Sequence, residues 1–143
     1  MKQFLILLLL GATLPLTGQV TDAFQELSDR YDTEFWGNWK NQDYEAAQAF
    51  LLRMHTAYYS LSKADKSLHR SEMANICYNL ACTYSVQGQT QEGLGALKEA
   101  IQFGWKDQAW TLEDGDLENL RQDPGFKDVL RRMNRRTSYI KLI

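Results

Sequence analysis

The sequence predicts an all-α protein, in which antiparallel helical hairpins stack side by side and a helical cap closes the C-terminal end. Apolar residues recur at the three- and four-residue spacing that places them on one face of a helix. Glycines stand where the helices of the second hairpin should end, and nothing in that hairpin alternates like a strand. The chain has 143 residues, 44% hydrophobic and 24% charged, which suits one folded domain.

The first 18 residues are typical of a secretory signal peptide. Lys2 gives a positive start, residues 4–10 are apolar, and small or turn-forming residues follow as far as Gly18. The apolar stretch ends by Leu16, whereas a membrane-spanning helix needs about 20 apolar residues, so an anchor is the weaker interpretation. We therefore expect cleavage after Gly18, a periplasmic or secreted location, and no stable membrane insertion once the signal is removed.

The mature domain is predicted over residues 19–134, with a tail over 135–143. Its first pair of helices should occupy residues 22–62. Asp22 and Gln25 have the spacing of a capping box, in which each side chain bonds the free backbone N–H of the other, so the first helix should begin at Asp22. An apolar stripe marks the buried face of the second helix. Its members are Tyr44, Ala47, Phe50, Leu51, Met54, Tyr58 and Leu61.

The second pair of helices should follow a charged linker over residues 62–69, which has no apolar spacing. Ser71 is predicted to cap the third helix, which ends just before the turn glycine Gly88. The fourth helix should span residues 90–103. Gly104 then stands where a left-handed helix cap favours glycine.

Shorter capping helices are predicted over residues 108–134. One turn should hold Trp110, and another, over residues 116–121, should direct its two leucines inward. Asp123 and Pro124 predict the start of the last helix, because the aspartate caps it and proline at the first position loses no needed hydrogen bond. That helix should bury Phe126, Val129, Leu130 and Met133.

The residues of the second pair of helices form a specific pattern. They are Tyr78, Asn79, Leu80, Ala81 and Tyr84 in its first helix, the turn glycine Gly88, and Gly93, Leu97 and Ala100 in its second. Over the 34 residues from 74 to 107 this pattern resembles the tetratricopeptide repeat (TPR). Residues 22–62 resemble a degenerate copy, with Ala47 at a small position but bulky Phe35 where a small residue belongs. Residues 112–130 are similar to a closing segment that follows such repeats in exported bacterial proteins, often behind a hydrolase domain.

The resemblance implies a short TPR-like α-solenoid that acts as an exported scaffold and holds a protein or peptide partner in a shallow groove. The first helix of each repeat lines that groove. By resemblance the groove-facing residues are Asn75, Tyr78, Asn79, Cys82, Ser85 and Val86. The Asn79 amide would bond a peptide backbone or a terminal carboxylate, or else serve the repeat itself. Two hairpins form an incomplete surface, so a partner or a second copy in a homo-oligomer should complete it. The alternative is an accessory or regulatory subunit of an exported hydrolase or envelope complex.

The sequence offers little for catalysis, and we expect no enzyme, cofactor or metal. It contains no P-loop, no GxSxG motif and no glycine-rich phosphate loop. The two histidines, His55 and His69, have no metal-ligand spacing, and the acidic residues over 113–118 are explained mostly by helix capping. Cys77 and Cys82 should be free and buried, because five residues in one helix separate them by about 8 Å on different faces.

Charge argues against a nucleic-acid partner. The chain has 16 basic and 18 acidic residues, a formal charge of -2, whereas nucleic-acid binders carry a basic excess. The one dense basic cluster lies in the last helix and is predicted to be a solvated face. Contact with acidic lipid, surface polysaccharide or a partner is the alternative. The cluster consists of Arg131, Arg132, Arg135 and Arg136.

Overall fold

The computed structural model describes the backbone over Leu16–Ile140 and the side chains over residues 23–133. Residues 1–15, which make up most of the predicted signal peptide, and the side chains of the tail lie outside these described residues. Within them the chain is all-helical and contains no strand, as the sequence predicts. The helices are α1 (Leu16–Lys40), α2 (Tyr44–Ser60), α3 (Lys63–Leu68), α4 (Arg70–Val86), α5 (Thr90–Phe103), α6 (Gln108–Glu113), α7 (Glu118–Arg121) and α8 (Pro124–Ile140), with a 3-10 turn (Gly115–Leu117) before α7.

The first two helices form a pair across a short polar turn. Gln42 has a φ of 60°, and the Asp43 side chain accepts a 3.0 Å hydrogen bond from the Ala46 N–H, which caps α2. The predicted capping box at Asp22 and Gln25 is wrong. Helix α1 begins at Leu16, so Asp22 lies inside it, where backbone N–H groups already have helical partners.

Two predictions between the hairpins are also wrong. The charged segment over 62–69 is not a linker but contains α3, whose N-cap is Ser62. The Ser62 hydroxyl accepts from the Asp65 N–H at 3.2 Å and donates to the Asp65 carboxylate at 2.6 Å, so capping rather than apolar spacing stabilises this helix. Helix α4 begins at Arg70, directly after His69, and Ser71 therefore does not cap it.

The most extensive packing joins α4 to α5. Their connection turns at Gly88, with a φ of 73°, and α5 ends at Gly104, with a φ of 122°, as the sequence predicts. Gly93 has a steric role: a Cβ there would lie 2.8 Å from the Leu120 side chain. Because Gly93 leaves that space, α7 can pack closely on the α4–α5 pair.

A single core runs from the α1–α2 pair through α4 and α5 to the C-terminal segment. The predicted inward residues Leu117 and Leu120 are fully buried, and α8 packs on α5 through its apolar face. Helix α8 continues to Ile140, past the predicted domain end at residue 134. In the described part of the chain, none of the helices combines the length and the apolar character needed to cross a membrane.

Candidate functional site

A cleft of about 340 Å³ opens between α1, α4 and the segment that follows α5, and all four tryptophans of the chain line it. Helix α1 supplies Trp36 and Trp39. The segment after α5 supplies Trp105 and Trp110. We call this opening between α1, α4 and the segment after α5 the aromatic cleft. A site with this composition is suited to binding, because tryptophan offers a large apolar surface at little entropic cost.

The α1 wall of the cleft is a row of aromatic rings. Tyr31 and Phe35 are stacked with centroids 5.2 Å apart, and Trp36 meets Phe35 edge-on at 4.8 Å. Four-residue spacing along α1 places Tyr31, Phe35 and Trp39 on one face. Phe35 is buried, whereas Trp36 is 39% exposed at the rim. The wall is thus anchored in the core and open to a ligand at its edge.

The opposite wall is set by the turn at Gly104. Its left-handed backbone brings the Trp105 N–H back to the Ala100 carbonyl at 2.9 Å. The Trp105 ring then stacks on Tyr78 of α4, with centroids 3.9 Å apart and planes inclined by 19°. Its indole N–H donates to Thr111 at 3.0 Å, which fixes the ring.

Trp110 stands on the rim of the same wall. It belongs to α6, which the Asp107 side chain caps by accepting from the Trp110 N–H at 3.0 Å. The indole itself is 55% exposed. Trp36 and Trp110 are therefore the two tryptophans that a ligand entering the cleft would reach first.

The floor of the cleft carries two carboxylates. One Asp114 oxygen accepts from the Tyr78 hydroxyl at 2.6 Å, and the other accepts from the Asp116 N–H at 3.0 Å, which caps the 3-10 turn. Cys82 lies with its sulfur 3.8 Å from Asp114. Side-chain atoms of Cys82, Asp114 and Asp116 all lie within 4.8 Å of one another. We call these three residues the floor cluster.

The surroundings of the floor raise the pKa values of Asp116, Tyr78 and Cys82. Burial, and then repulsion from Asp114, raises the pKa of Asp116. Burial is also the main cause that raises the pKa of Tyr78, followed by its hydrogen bond to Asp114. The pKa of the Cys82 thiol is raised by burial and by the negative charge of Asp114. Both Tyr78 and Cys82 are therefore protonated at neutral pH.

The structure brings four of the six predicted groove residues together in the aromatic cleft. They are Asn75, Tyr78, Asn79 and Cys82. The amide nitrogen of Asn79 donates to the Tyr31 hydroxyl, which ties α4 to α1, and burial raises the pKa of Tyr31 to about 12. The Asn79 amide thus has a structural partner already.

Ser85 and Val86 do not line the cleft, and for Ser85 the prediction is wrong, whereas the role of the half-buried Val86 stays a prediction. Ser85 is fully buried, and its backbone carbonyl accepts from the Asn119 amide at 2.7 Å. The reason is the 3-10 turn and α7, which pack on α4 and cover its C-terminal half. The groove predicted along α4 is therefore covered at Ser85 by this segment.

The α1 wall and the segment after α5 were missed as parts of a site. The residues that bear most on binding there are Trp36, Trp105, Trp110, Asp114 and Asp116. Of these, Trp110 was predicted only to lie in a helical turn, and Asp114 and Asp116 only to contribute to helix capping. The signal that points to a site is the distribution of tryptophan, since all four fall in two short segments, residues 36–39 and 105–110.

A second cluster of polar side chains lies about 140° around α4 from the first, at Cys77, which is five residues before Cys82. The His55 Nε2 lies 3.1 Å from a Glu99 oxygen, and the Tyr59 hydroxyl donates to the other oxygen at 2.5 Å. We call His55, Cys77 and Glu99 the helix-interface cluster; sequence spacing did not predict it. Both cysteines are free and buried, as expected.

His69 lies apart from the helix-interface cluster. Its Nδ1 is 2.9 Å from Glu72, and its ring meets Phe24 edge-on at 4.9 Å. The two histidines of the chain therefore belong to separate sites, with different acidic partners.

Comparison with known proteins assigns no family. No protein-family model matches the chain, and no solved structure matches it. A similar segment occurs in a curated chloroplastic protein of Arabidopsis thaliana, which is 42% identical over 57 residues. This segment is 40% of the present chain and only 17% of the relative, so most of the relative's length has no counterpart here.

Proposed function

We propose that the protein is a TPR-type binding module that holds a segment of a protein partner in the aromatic cleft. The observation that carries this proposal is the convergence of all four tryptophans on one cleft. Aromatic side chains dominate the energetics of protein interfaces, and tryptophan is the residue most enriched at their hot spots. A volume of about 340 Å³ suits one or two inserted side chains, with the rest of the segment outside.

The helix packing supports the TPR-type arrangement. Successive contacts join α1 to α2, α2 to α4 and α4 to α5, the order that two stacked hairpins require. The small residues Ala81 and Ala100 are completely buried where α4 meets α5. On this proposal the segment from α6 to α8 closes the second hairpin and gives the cleft its outer wall and floor.

The cleft has binding chemistry without a ready nucleophile, which favours a scaffold over an enzyme. Cys82 and Tyr78, its nucleophilic side chains, are held protonated. The proposal of export to the periplasm or the medium rests on residues 1–18. The alternative role as an accessory subunit of an exported hydrolase rests on the closing segment over residues 112–130.

A peptide-display selection with the purified full chain tests the proposal. We expect enriched peptides to change the intrinsic fluorescence, because every tryptophan lies in the cleft. Trp36→Ala and Trp110→Ala should each weaken binding by about 10-fold or more, the effect of removing a hot-spot side chain.

Leu52→Ala is the matched control, since Leu52 has the same 39% exposure as Trp36 but lies on α2, outside the cleft. It should change affinity less than about twofold, as a residue outside the contact does. If no peptide is enriched, or if Leu52→Ala weakens binding as much as Trp36→Ala, the proposal is wrong.

A further inference from the structure

We infer that the aromatic cleft receives a cationic side chain of its partner segment, with the guanidinium or ammonium group against the floor cluster. This inference rests on the proposed function and deepens it by naming the chemistry of the occupant. Three features of the site carry it: the charges that line the cleft, the hydrogen-bonding capacity left at the floor, and the aromatic walls.

The charge at the floor is not balanced from within the cleft. Asp114 and Asp116 are the charged residues among those that line it, and their carboxylates lie within 4.8 Å of each other. Arg121 approaches from outside, but its contacts are to the Asp114 backbone carbonyl and to the Glu118 carboxylate, each at 2.5 Å. An inserted cation would supply the opposite charge that two neighbouring carboxylates need.

The two carboxylates differ in their remaining capacity to accept hydrogen bonds. Both Asp114 oxygens already accept hydrogen bonds, one from Tyr78 and one from the Asp116 N–H. The Asp116 carboxylate is half-buried, and burial and Asp114 act on it with no hydrogen-bond donor among the described residues. Asp116 is therefore the acceptor that is free to bond an incoming N–H group, and Asp114 adds charge behind it.

The aromatic walls favour an organic cation over a hard divalent metal ion. Guanidinium and ammonium groups are attracted to the faces of tryptophan and tyrosine, and guanidinium is weakly hydrated, so it loses little on entering an aromatic cleft. Hard divalent cations instead require six or more oxygen ligands or retained water. The floor cluster offers two carboxylates and a thiol, which are too few oxygen ligands for such an ion.

The test uses four pools of synthetic peptides that are identical except at one fixed central position, which is arginine, lysine, citrulline or glutamate. Citrulline is the decisive control, because it keeps the shape of arginine and removes the charge. We expect the full chain to bind the arginine and lysine pools at least 10-fold more tightly than the citrulline pool, and the glutamate pool least of all.

Variants at Asp116 locate the effect. Asp116→Asn should abolish the preference of arginine over citrulline, and Asp116→Glu, which keeps the charge, should restore most of it. Circular dichroism of each variant confirms that it is folded. Acidification that protonates Asp116 should weaken the arginine pool and leave the citrulline pool unchanged.

The outcomes separate the two proposals. If the citrulline pool binds as well as the arginine pool and Trp36→Ala still weakens both, the cation inference is wrong and the binding module stands. If no pool binds, both are wrong. If zinc or calcium ions alone displace the arginine pool in an Asp116-dependent manner, the floor is a metal site and the inference is overturned.

Discussion

The two polar clusters on either side of α4 contain similar residues but differ in whether their carboxylates have a basic partner. Each contains a buried cysteine from α4 and at least one carboxylate from another segment. In the helix-interface cluster, Glu99 has His55 at 3.1 Å and the Tyr59 hydroxyl at 2.5 Å. In the floor cluster, two carboxylates face each other beside Cys82 without a basic side chain among the residues that line the cleft.

The difference identifies which carboxylates have no basic partner within the cleft. The helix-interface cluster supplies its own base and lies between packed helices, so it joins α2 to α5 and needs nothing from outside. The floor cluster keeps a repelled carboxylate at the bottom of an open cleft, and such perturbed groups concentrate at functional sites. We therefore regard the first as a structural contact and the second as the site for a ligand.

The largest effect should come from truncating the carboxylate that supports the floor. Asp114→Ala removes the acceptor of the buried Tyr78 hydroxyl and the cap of the 3-10 turn. We expect a loss of about 2–4 kcal/mol in the free energy of unfolding, the sum of an unsatisfied buried hydroxyl and a lost cap. Urea denaturation followed by circular dichroism measures it.

Glu99→Ala is the matched control at the helix-interface cluster. Its side chain is 28% exposed, so the loss of its contacts with His55 and Tyr59 should cost no more than about 1 kcal/mol. Asp114→Asn keeps an oxygen acceptor and should cost less than Asp114→Ala. Equal losses for the two alanine variants would contradict the prediction, because Glu99 would then stabilise the fold as much as Asp114 does.

The reactivity of the two thiols gives the next effect. Burial raises the pKa of Cys77, with Glu99 adding to it, and the Cys82 pKa is raised in the same direction. Protonated and buried thiols react only when the structure opens, so both should react with a disulfide reagent at pH 8 about 100-fold more slowly than in urea.

The two clusters should also differ in how strongly the fold protects their thiols from the reagent. Cys82 borders the cleft, whereas Cys77 is reached only by separating packed helices, so Cys82 should react faster in Cys77→Ser than Cys77 does in Cys82→Ser. A peptide bound in the cleft should slow Cys82 alone. Faster reaction of Cys77 would show that the helix-interface cluster opens more readily than the cleft.

Local patterns were sufficient to predict much of the fold. The bounds of α5 follow from its apolar spacing and from Gly104, and the start of α8 follows from Asp123 and Pro124. Helix α3 was missed, because side-chain capping by Ser62 stabilises it without an apolar stripe. A helix that is stabilised locally can therefore be predicted from sequence, provided that side-chain capping is considered as well as apolar spacing.

The site depends on contacts between distant segments, and these were less predictable. The repeat pattern treats α4 as one face of a groove, which identifies Tyr78 and Cys82 but takes no account of the segment C-terminal to the repeat. Trp105 reaches Tyr78 only because Gly104 reverses the chain, and Ser85 is hidden from solvent because α7 folds over it. Neither outcome has a signature within α4 itself.

The smallest predicted effect on stability is the one that best tests whether Asp116 lacks a partner in the free protein. Asp116→Asn should raise the free energy of unfolding of the free protein at pH 7 by a few tenths to about 1 kcal/mol, because it removes a partly buried, repelled charge. The pKa of Asp116 is raised above its ordinary 3.8, so the folded state holds its proton longer than the unfolded chain does. The contribution of Asp116 to the free energy of unfolding is thus fully present below about pH 3.8. It is lost as the pH rises through the folded pKa.

The gain in Asp116→Asn should therefore vanish near pH 3 and be complete at neutral pH, a dependence that denaturation curves at several pH values resolve. Glu99→Gln should show the opposite sign at pH 7, because Glu99 has favourable partners in His55 and Tyr59. A destabilised Asp116→Asn would mean that the carboxylate is already satisfied within the fold. A stabilised variant that no longer prefers arginine would show that the chain gives up stability at this one position in exchange for binding.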